Sequence, residues 1–155
     1  MSKWVLIITD DNVTTSAAVN NLKGFAERID IDLFALKKGG NFDKIDNTFL
    51  GKLNFIFQAT EFLNLDQENV RNFYNAYESK NYALPTKFAI RGFDLTYDIL
   101  VRIATGRNLE KGLKAGKSSR VASIFDYEKK PFGGMGNGGL ILIQYKPDLT
   151  FEVLK

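Results

Sequence analysis

Thr9-Asp10-Asp11-Asn12-Val13-Thr14 is the stretch of this chain best stocked for chemistry. Two adjacent carboxylates, an amide and two hydroxyls could hold a divalent cation. They directly follow the apolar run Trp4-Val5-Leu6-Ile7-Ile8. Open α/β sheets place ligands outside the carboxyl ends of their strands, so the position suits a site. Helix capping by Asp11 or Asn12 accounts for the same residues, because a short polar side chain takes up backbone N–H groups at a helix start. Lys37-Lys38-Gly39-Gly40-Asn41 follows a second strand-like run and could meet an anion, although exposed lysines are most often plain surface. The third candidate is the glycine-rich run Pro131-Phe132-Gly133-Gly134-Met135-Gly136-Asn137-Gly138-Gly139. A phosphate cradle must open a helix, where N–H groups and the helix dipole hold the anion. Here the branched run Leu140-Ile141-Leu142-Ile143-Gln144-Tyr145 follows, closed by the turn signal Lys146-Pro147-Asp148, so the glycines join two strands.

The elements that must position these groups read as α/β. Trp4 to Thr9 is a short continuous apolar run, the pattern of a buried parallel strand. Ala18, Leu22, Phe25 and Ile29 share one helical face after it, and Ile31 to Leu36 forms a second strand with an expected right-handed crossover. Leu53 to Phe57 reads as a third strand after a helical turn around Phe49 and Leu50. A helix capped by Asn64 or Asp66 then presents Val70, Phe73, Tyr74 and Tyr77 on one side. Beyond the break at Pro85, a further helix carries Phe93, Tyr97, Leu100, Val101 and Ala104 as its expected buried stripe, with Asp98 and Arg102 as an i,i+4 pair. Arg91, Asp94 and Asp98 read as an exposed ion-pair face. Gly106 ends that helix, a short helix over 109–113 follows, and the remainder reads as strands at 121–125, 140–145 and 150–154. No repeat or linker divides the chain, which reads as a single domain over 1–155.

Composition removes several function classes. The 155 residues are 45% hydrophobic and 25% charged, values of a globular domain able to bury a core. Histidine and cysteine are both absent. Imidazole bases, thiol nucleophiles and zinc sites of the usual kind are thereby excluded. The 21 basic and 18 acidic side chains are intermixed, without the clustered basic face of a nucleic-acid binder. No run reaches the length of a membrane span, and the start has no signal-peptide layout. No metal, cofactor, nucleic acid or membrane insertion is expected.

Two phosphoryl-handling families share a partial look with the first motif. Asp10 and Asp11 after the first strand resemble the acidic pair of a response-regulator receiver domain, which holds magnesium beside a phosphoacceptor aspartate after the third strand. Here that strand ends Phe57-Gln58-Ala59, and an amide cannot accept a phosphoryl group, so the resemblance implies an inactive form. Asp10, Asn12 and Thr14 are similar to the Asp-x-Asp-x-Thr loop of haloacid-dehalogenase-type phosphatases, with Asn12 in place of the general acid. An inactive receiver-like or phosphatase-like domain using Asp10 and Asp11 therefore stands as the alternative reading.

A broader resemblance runs through the second half of the chain. Arg91-Gly92-Phe93-Asp94-Leu95-Thr96-Tyr97-Asp98 resembles the Gly-Tyr-Asp-x-x-Tyr helix start of type I periplasmic binding proteins, the branched-chain amino-acid-binding receptors of transporters. Asn69 to Tyr77 followed by Pro85 is similar to that family's preceding helix. Phe125-Asp126-Tyr127-Glu128, a glycine-rich turn and then Gly139 to Tyr145 look like its closing β-hairpin. The nearest look is to divergent Bacteroidetes-type versions, some fused to peptidoglycan-binding LysM modules. The resemblance implies a three-layer, Rossmann-like half of a two-lobed protein, its C-terminal half. It also implies a non-enzymatic transport role, an amino acid or cell-wall-derived small molecule as ligand, and a periplasmic or cell-envelope parent. Family ligand contacts carried over by position fall on Thr9, Asp10, Asp11, Lys37 and Lys38. Asp10 or Asp11 could meet an ammonium group, whereas Lys38 could not. With half a cleft absent, Phe73, Tyr77, Phe93 and Tyr97 would need cover, and a homo-oligomer through that stripe is expected. A structural interaction module without a small ligand is the remaining possibility.

Overall fold

The structure, a computed structural model, describes residues 2–154. The chain divides into two compact units, one formed by Met1–Ala59 with Ile141–Lys155 and the other by Thr60–Leu140. The first unit opens with β1 (Lys3–Ile7), α1 (Asn12–Ala26), β2 (Ile31–Ala35), α2 (Asn47–Lys52) and β3 (Ile56–Ala59). The second holds α3 (Glu68–Asn81), α4 (Lys87–Gly106), α5 (Leu109–Leu113), β4 (Ser118–Ser119), β5 (Ile124–Phe125), β6 (Tyr127–Lys129) and β7 (Met135–Asn137). The chain then returns to the first unit as β8 (Ile141–Tyr145) and β9 (Phe151–Leu154).

The first unit is a mixed sheet in the order β1-β2-β3-β8-β9. β1, β2 and β3 pair in parallel, and β8 and β9 join antiparallel. One face buries Ile7, Ile31, Leu33, Phe55 and Tyr145 together with Val19 of α1 and Leu50 of α2. α1 starts where it does because Asp11 accepts from the Thr14 N–H at 2.7 Å. Its packed face is Thr15, Ala18, Val19, Leu22 and Ala26, while Phe25 and Ile29 of the expected stripe stay exposed. α2 closes on the turn before β9: a Cβ at Gly51 would lie 2.4 Å from the Lys146 carbonyl oxygen.

The buried first strand expected from its apolar run is corrected here. β1 is parallel but lies at the sheet edge, and Trp4, Leu6 and Ile8 are exposed. The physical reason is the sequential order β1-β2-β3, which sets the helices packed in this core on one face and leaves the alternate residues of β1 without cover.

In the second unit Val70 of α3, Ile90 of α4 and Val121 form the core, with Leu63, Phe73 and Tyr74 packed against it. Thr86, after Pro85, caps α4 by accepting from the Ala89 N–H. The orientation of α4 reverses the sequence expectation. Phe93, Tyr97 and Leu100 are exposed, whereas Asp94, Asp98 and Arg102 are buried, so the supposed ion-pair surface faces inward. Only Arg91 of that set is outside, paired with Glu61. α3 begins after Gln67 without a side-chain cap, and Asn64 instead accepts from the Asp66 N–H.

The closing hairpin is also redrawn. The glycine-rich run does join two strands, but they are β6 and β7, turned through Gly133 and Gly134 at φ of 95° and 75°. Ile124–Phe125 pairs with Ser118–Ser119, and β8 pairs with β3 and β9 rather than with the strand ending at Phe125. The strand expected over 121–125 shortens to its last two residues because the N–H groups of Val121, Ala122 and Ser123 turn to the Asp94 carboxylate.

Candidate functional site

The carboxyl ends of β1 and β2 frame a cavity of about 440 Å³ lined by Thr9, Asp10, Leu36, Lys37 and Phe42, with Ile7, Ile8 and Ala35 completing the wall. Two backbone features shape it. Asp11 begins α1 and turns the chain away after Asp10. A 3-10 turn over Gly40–Phe42 brings Asn41 and Phe42 back beneath β2, both buried. Asn41 Nδ2 donates to the Thr9 carbonyl at 2.9 Å and to Thr15 Oγ1 at 3.0 Å, so one buried amide fixes the two rims relative to each other.

Lys37 Nζ and an Asp10 carboxylate oxygen stand 3.2 Å apart, with both side chains well exposed. A pair this open to water is held weakly and separates at little cost. Asp11 is committed elsewhere: hydrogen bonds from the Thr14 side chain and N–H hold its carboxyl below the usual carboxylate range. Lys38 is diverted too, donating to the Tyr145 hydroxyl with its ammonium 4.8 Å from that ring's centroid. Of the five residues carried over by position, the structure thus gathers Thr9, Asp10 and Lys37 around the cavity and gives Asp11 and Lys38 structural partners. Phe42 and Leu36 were missed. The signal for Phe42 was an aromatic placed just after a Gly-Gly turn at a strand end.

Among the described residues no cluster of three or more acidic, histidine or cysteine side chains is placed to hold a metal ion. A receiver-like reading meets a different sheet as well. Receiver-type doubly wound sheets run in the order 2-1-3-4-5, whereas this one keeps sequential order and ends in two antiparallel strands. Gln58 lies in β3, opposite Leu142.

No family model and no curated protein matches the chain. Among solved structures, a branched-chain amino-acid ABC transporter periplasmic ligand-binding protein from Burkholderia xenovorans aligns over 98% of this chain with a TM-score of 0.57 at 11% identity. The fold is that of a part, less than half, of a type I periplasmic ligand-binding protein. The match spans 43% of that protein's length, less than half of it. Two more structures align with lower scores. An ABC transporter substrate-binding protein from Desulfitobacterium hafniense, solved with Leu, has 12% identity and a TM-score of 0.43 over 95% of this chain and 49% of its own. A leucine-binding protein from Thermotoga maritima has 8% identity and a TM-score of 0.41 over 99% and 43%. None of the three bears on the LysM-fused versions.

The four residues expected to mediate self-association lie in the second unit. Phe73 and Tyr77 on α3 are half-buried, Phe93 and Tyr97 on α4 are exposed, and the Phe73 and Phe93 rings meet at 4.7 Å.

Proposed function

We propose that the chain is a non-enzymatic solute-binding module that takes an aliphatic amino acid in the cavity at the ends of β1 and β2. The observation that carries this reading is the Asp10–Lys37 pair standing beside an apolar wall of Ile7, Ile8, Leu36 and Phe42. A zwitterion offers both charges at once. Its ammonium would replace Lys37 on Asp10, its carboxylate would replace Asp10 on Lys37, and its side chain would cover the wall. The periplasmic ligand-binding protein from Burkholderia xenovorans, described as serving branched-chain amino-acid transport, supports the ligand class. On this reading the parent protein is a receptor of the cell envelope, and the chain corresponds to its C-terminal half. One open cavity holds a ligand less tightly than a closed cleft, so binding near 1 mM, roughly 4 kcal/mol, is expected.

Titration of the chain with L-leucine, followed by amide chemical shifts, tests the proposal. Saturable shifts at Thr9, Asp10 and Lys37 are expected. Asp10→Asn and Lys37→Met should abolish them, while Asp11→Asn, which keeps an acceptor at the helix cap, should not. Leucine that leaves these amides unmoved up to its solubility limit would sink the reading.

A further inference from the structure

The second unit contains a cavity of its own, about 390 Å³, lined by Phe73, Phe93, Tyr97, Asn69, Ser119 and Arg120. That volume lies within the range of roughly 300–1,000 Å³ usual for small-molecule pockets. Its character differs from the cavity in the first unit. Phe73 and Phe93 pack at 4.7 Å between centroids, and the Phe93 and Tyr97 rings lie almost parallel, 6° apart in tilt and 5.6 Å apart. Phe93 and Tyr97 remain substantially exposed, and Phe73 closes the wall at a tilt of 45° to Phe93.

Arg120 gives the wall a charge. Its Nε and Nη2 both donate to the same Asp98 oxygen, at 2.9 and 2.7 Å, and its guanidinium carbon sits 5.3 Å from the Tyr97 ring centroid. The fork is thereby fixed in place, and Nη1 has no hydrogen bond among the described residues. Asp98 also serves Arg102 through its other oxygen, so one carboxylate answers two guanidinium groups. A fixed guanidinium with an open donor beside an aromatic face matches a planar carboxylate attached to a ring.

We propose that this cavity binds an aromatic carboxylate, its ring against Phe93 and Tyr97 and its carboxylate on Arg120 Nη1. An amine of the same shape would face a like charge. A purely apolar ring would leave the cation unanswered.

The test is ¹⁹F NMR of 4-fluorophenylacetate and 4-fluorobenzylamine, which share a ring and carry opposite charges, titrated with the intact chain. Charge is varied on the probe because removing Arg120 would strip Asp98 of a partner and endanger the fold. Saturable broadening of the carboxylate signal is expected, with binding of the amine at least tenfold weaker. Ala76→Trp, placed on an exposed position of α3 that borders the cavity, should abolish it. Asp10→Asn should leave it unchanged, which separates this site from the one in the first unit. Equal binding of both probes, no binding of either, or binding that survives Ala76→Trp overturns the proposal. So does sedimentation showing a dimer whose formation, abolished by Tyr97→Glu, excludes the probe, since a second copy would then occupy the face.

Discussion

Arg102 Nε donates to Asp98 Oδ2 at 2.6 Å, one helical turn along α4, and both side chains are almost sealed from water. The pair is the centre of a larger arrangement. Asp98 Oδ1 accepts from Ser118 and twice from Arg120, and Arg102 reaches the Gly112 and Gly116 carbonyls and the Ser118 hydroxyl. A helix whose charges face inward draws the following loops onto itself through hydrogen bonds as well as through the apolar contact of Ile90 with Val121.

Removing the carboxylate should therefore do more than delete one ion pair. Asp98→Ala leaves two guanidinium groups adjacent without their shared counter-ion, and a broken buried pair costs about 3–5 kcal/mol. Amide exchange of α4 and α5 in the native state is the measurement, with protection expected to fall across both helices. Retained protection would mean that the loops hold themselves in place.

The same residue gives the second unit an acid limb. Burial alone would push the Asp98 carboxyl up, but hydrogen bonds from Ser118, Arg102 and Arg120 prevail and hold it below its ordinary value. The unfolded carboxyl titrates near pH ~3.9. The contribution of Asp98 is thus complete above that value and is lost as pH falls through the lower folded-state value. Stability of the second unit should drop steeply below about pH 4. Asp98→Asn should start lower and show a flatter acid limb in urea unfolding curves recorded against pH.

Asp94 makes a separate prediction, because its carboxylate bonds only to backbone N–H groups among the described residues. Val121, Ala122 and Ser123 donate to it at 2.9, 2.9 and 2.7 Å. Asp94→Ala orphans three donors, each costing about 1–3 kcal/mol if water does not reach it. Exchange at those three amides should accelerate more than anywhere else in the unit. Asp94→Asn, which keeps one acceptor oxygen, should fall between the two.

These carboxylates mark where the sequence was legible and where it was not. The strands at β2, β8 and β9 and the helices α1, α3, α4 and α5 follow from periodicity and punctuation, because each is set by local pattern. The face of α4 does not, since burial depends on what folds over the helix from residues 112–123. One clue was present: Asp94, Asp98 and Arg102 recur every four residues along α4, so the polar stripe is as regular as the apolar one. At the candidate site, Asp10 and Lys37 were readable from their places at strand ends. The diversion of Lys38 to Tyr145, 107 residues away, has no local signature.

Gly112 should tolerate no side chain. A Cβ there would lie 2.1 Å from the Arg102 carbonyl oxygen and 2.6 Å from its carbon, contacts that only a shift of α5 against α4 could relieve. Overpacking of this kind costs about 1–3 kcal/mol and sometimes more. The Gly112 carbonyl also accepts from Arg102 Nη1 at 3.1 Å, so the shift would disturb the buried network. Gly112→Ala should lower the thermal midpoint, whereas Gly92→Ala, where added atoms meet open space on the exposed side of α4, should leave it unchanged or raise it. Equal midpoints for the two variants would contradict the close approach of the helices.

The edge position of β1 is tested by the single tryptophan. Trp4 is 77% exposed and touches Phe34 across the uncovered face of the sheet, their rings 5.5 Å apart, while Phe55 is fully buried against Phe42, Phe57 and Tyr145. Trp4→Ala should therefore change unfolding free energy by less than about 1 kcal/mol, and Phe55→Ala should cost about 3–5 kcal/mol through lost burial and the cavity left behind. Acrylamide should quench Trp4 emission nearly as well as that of a free indole. If Trp4 is instead shielded from the quencher and its removal is as costly as that of Phe55, the outer face of the sheet is covered in solution, and β1 is an interior strand of a larger assembly.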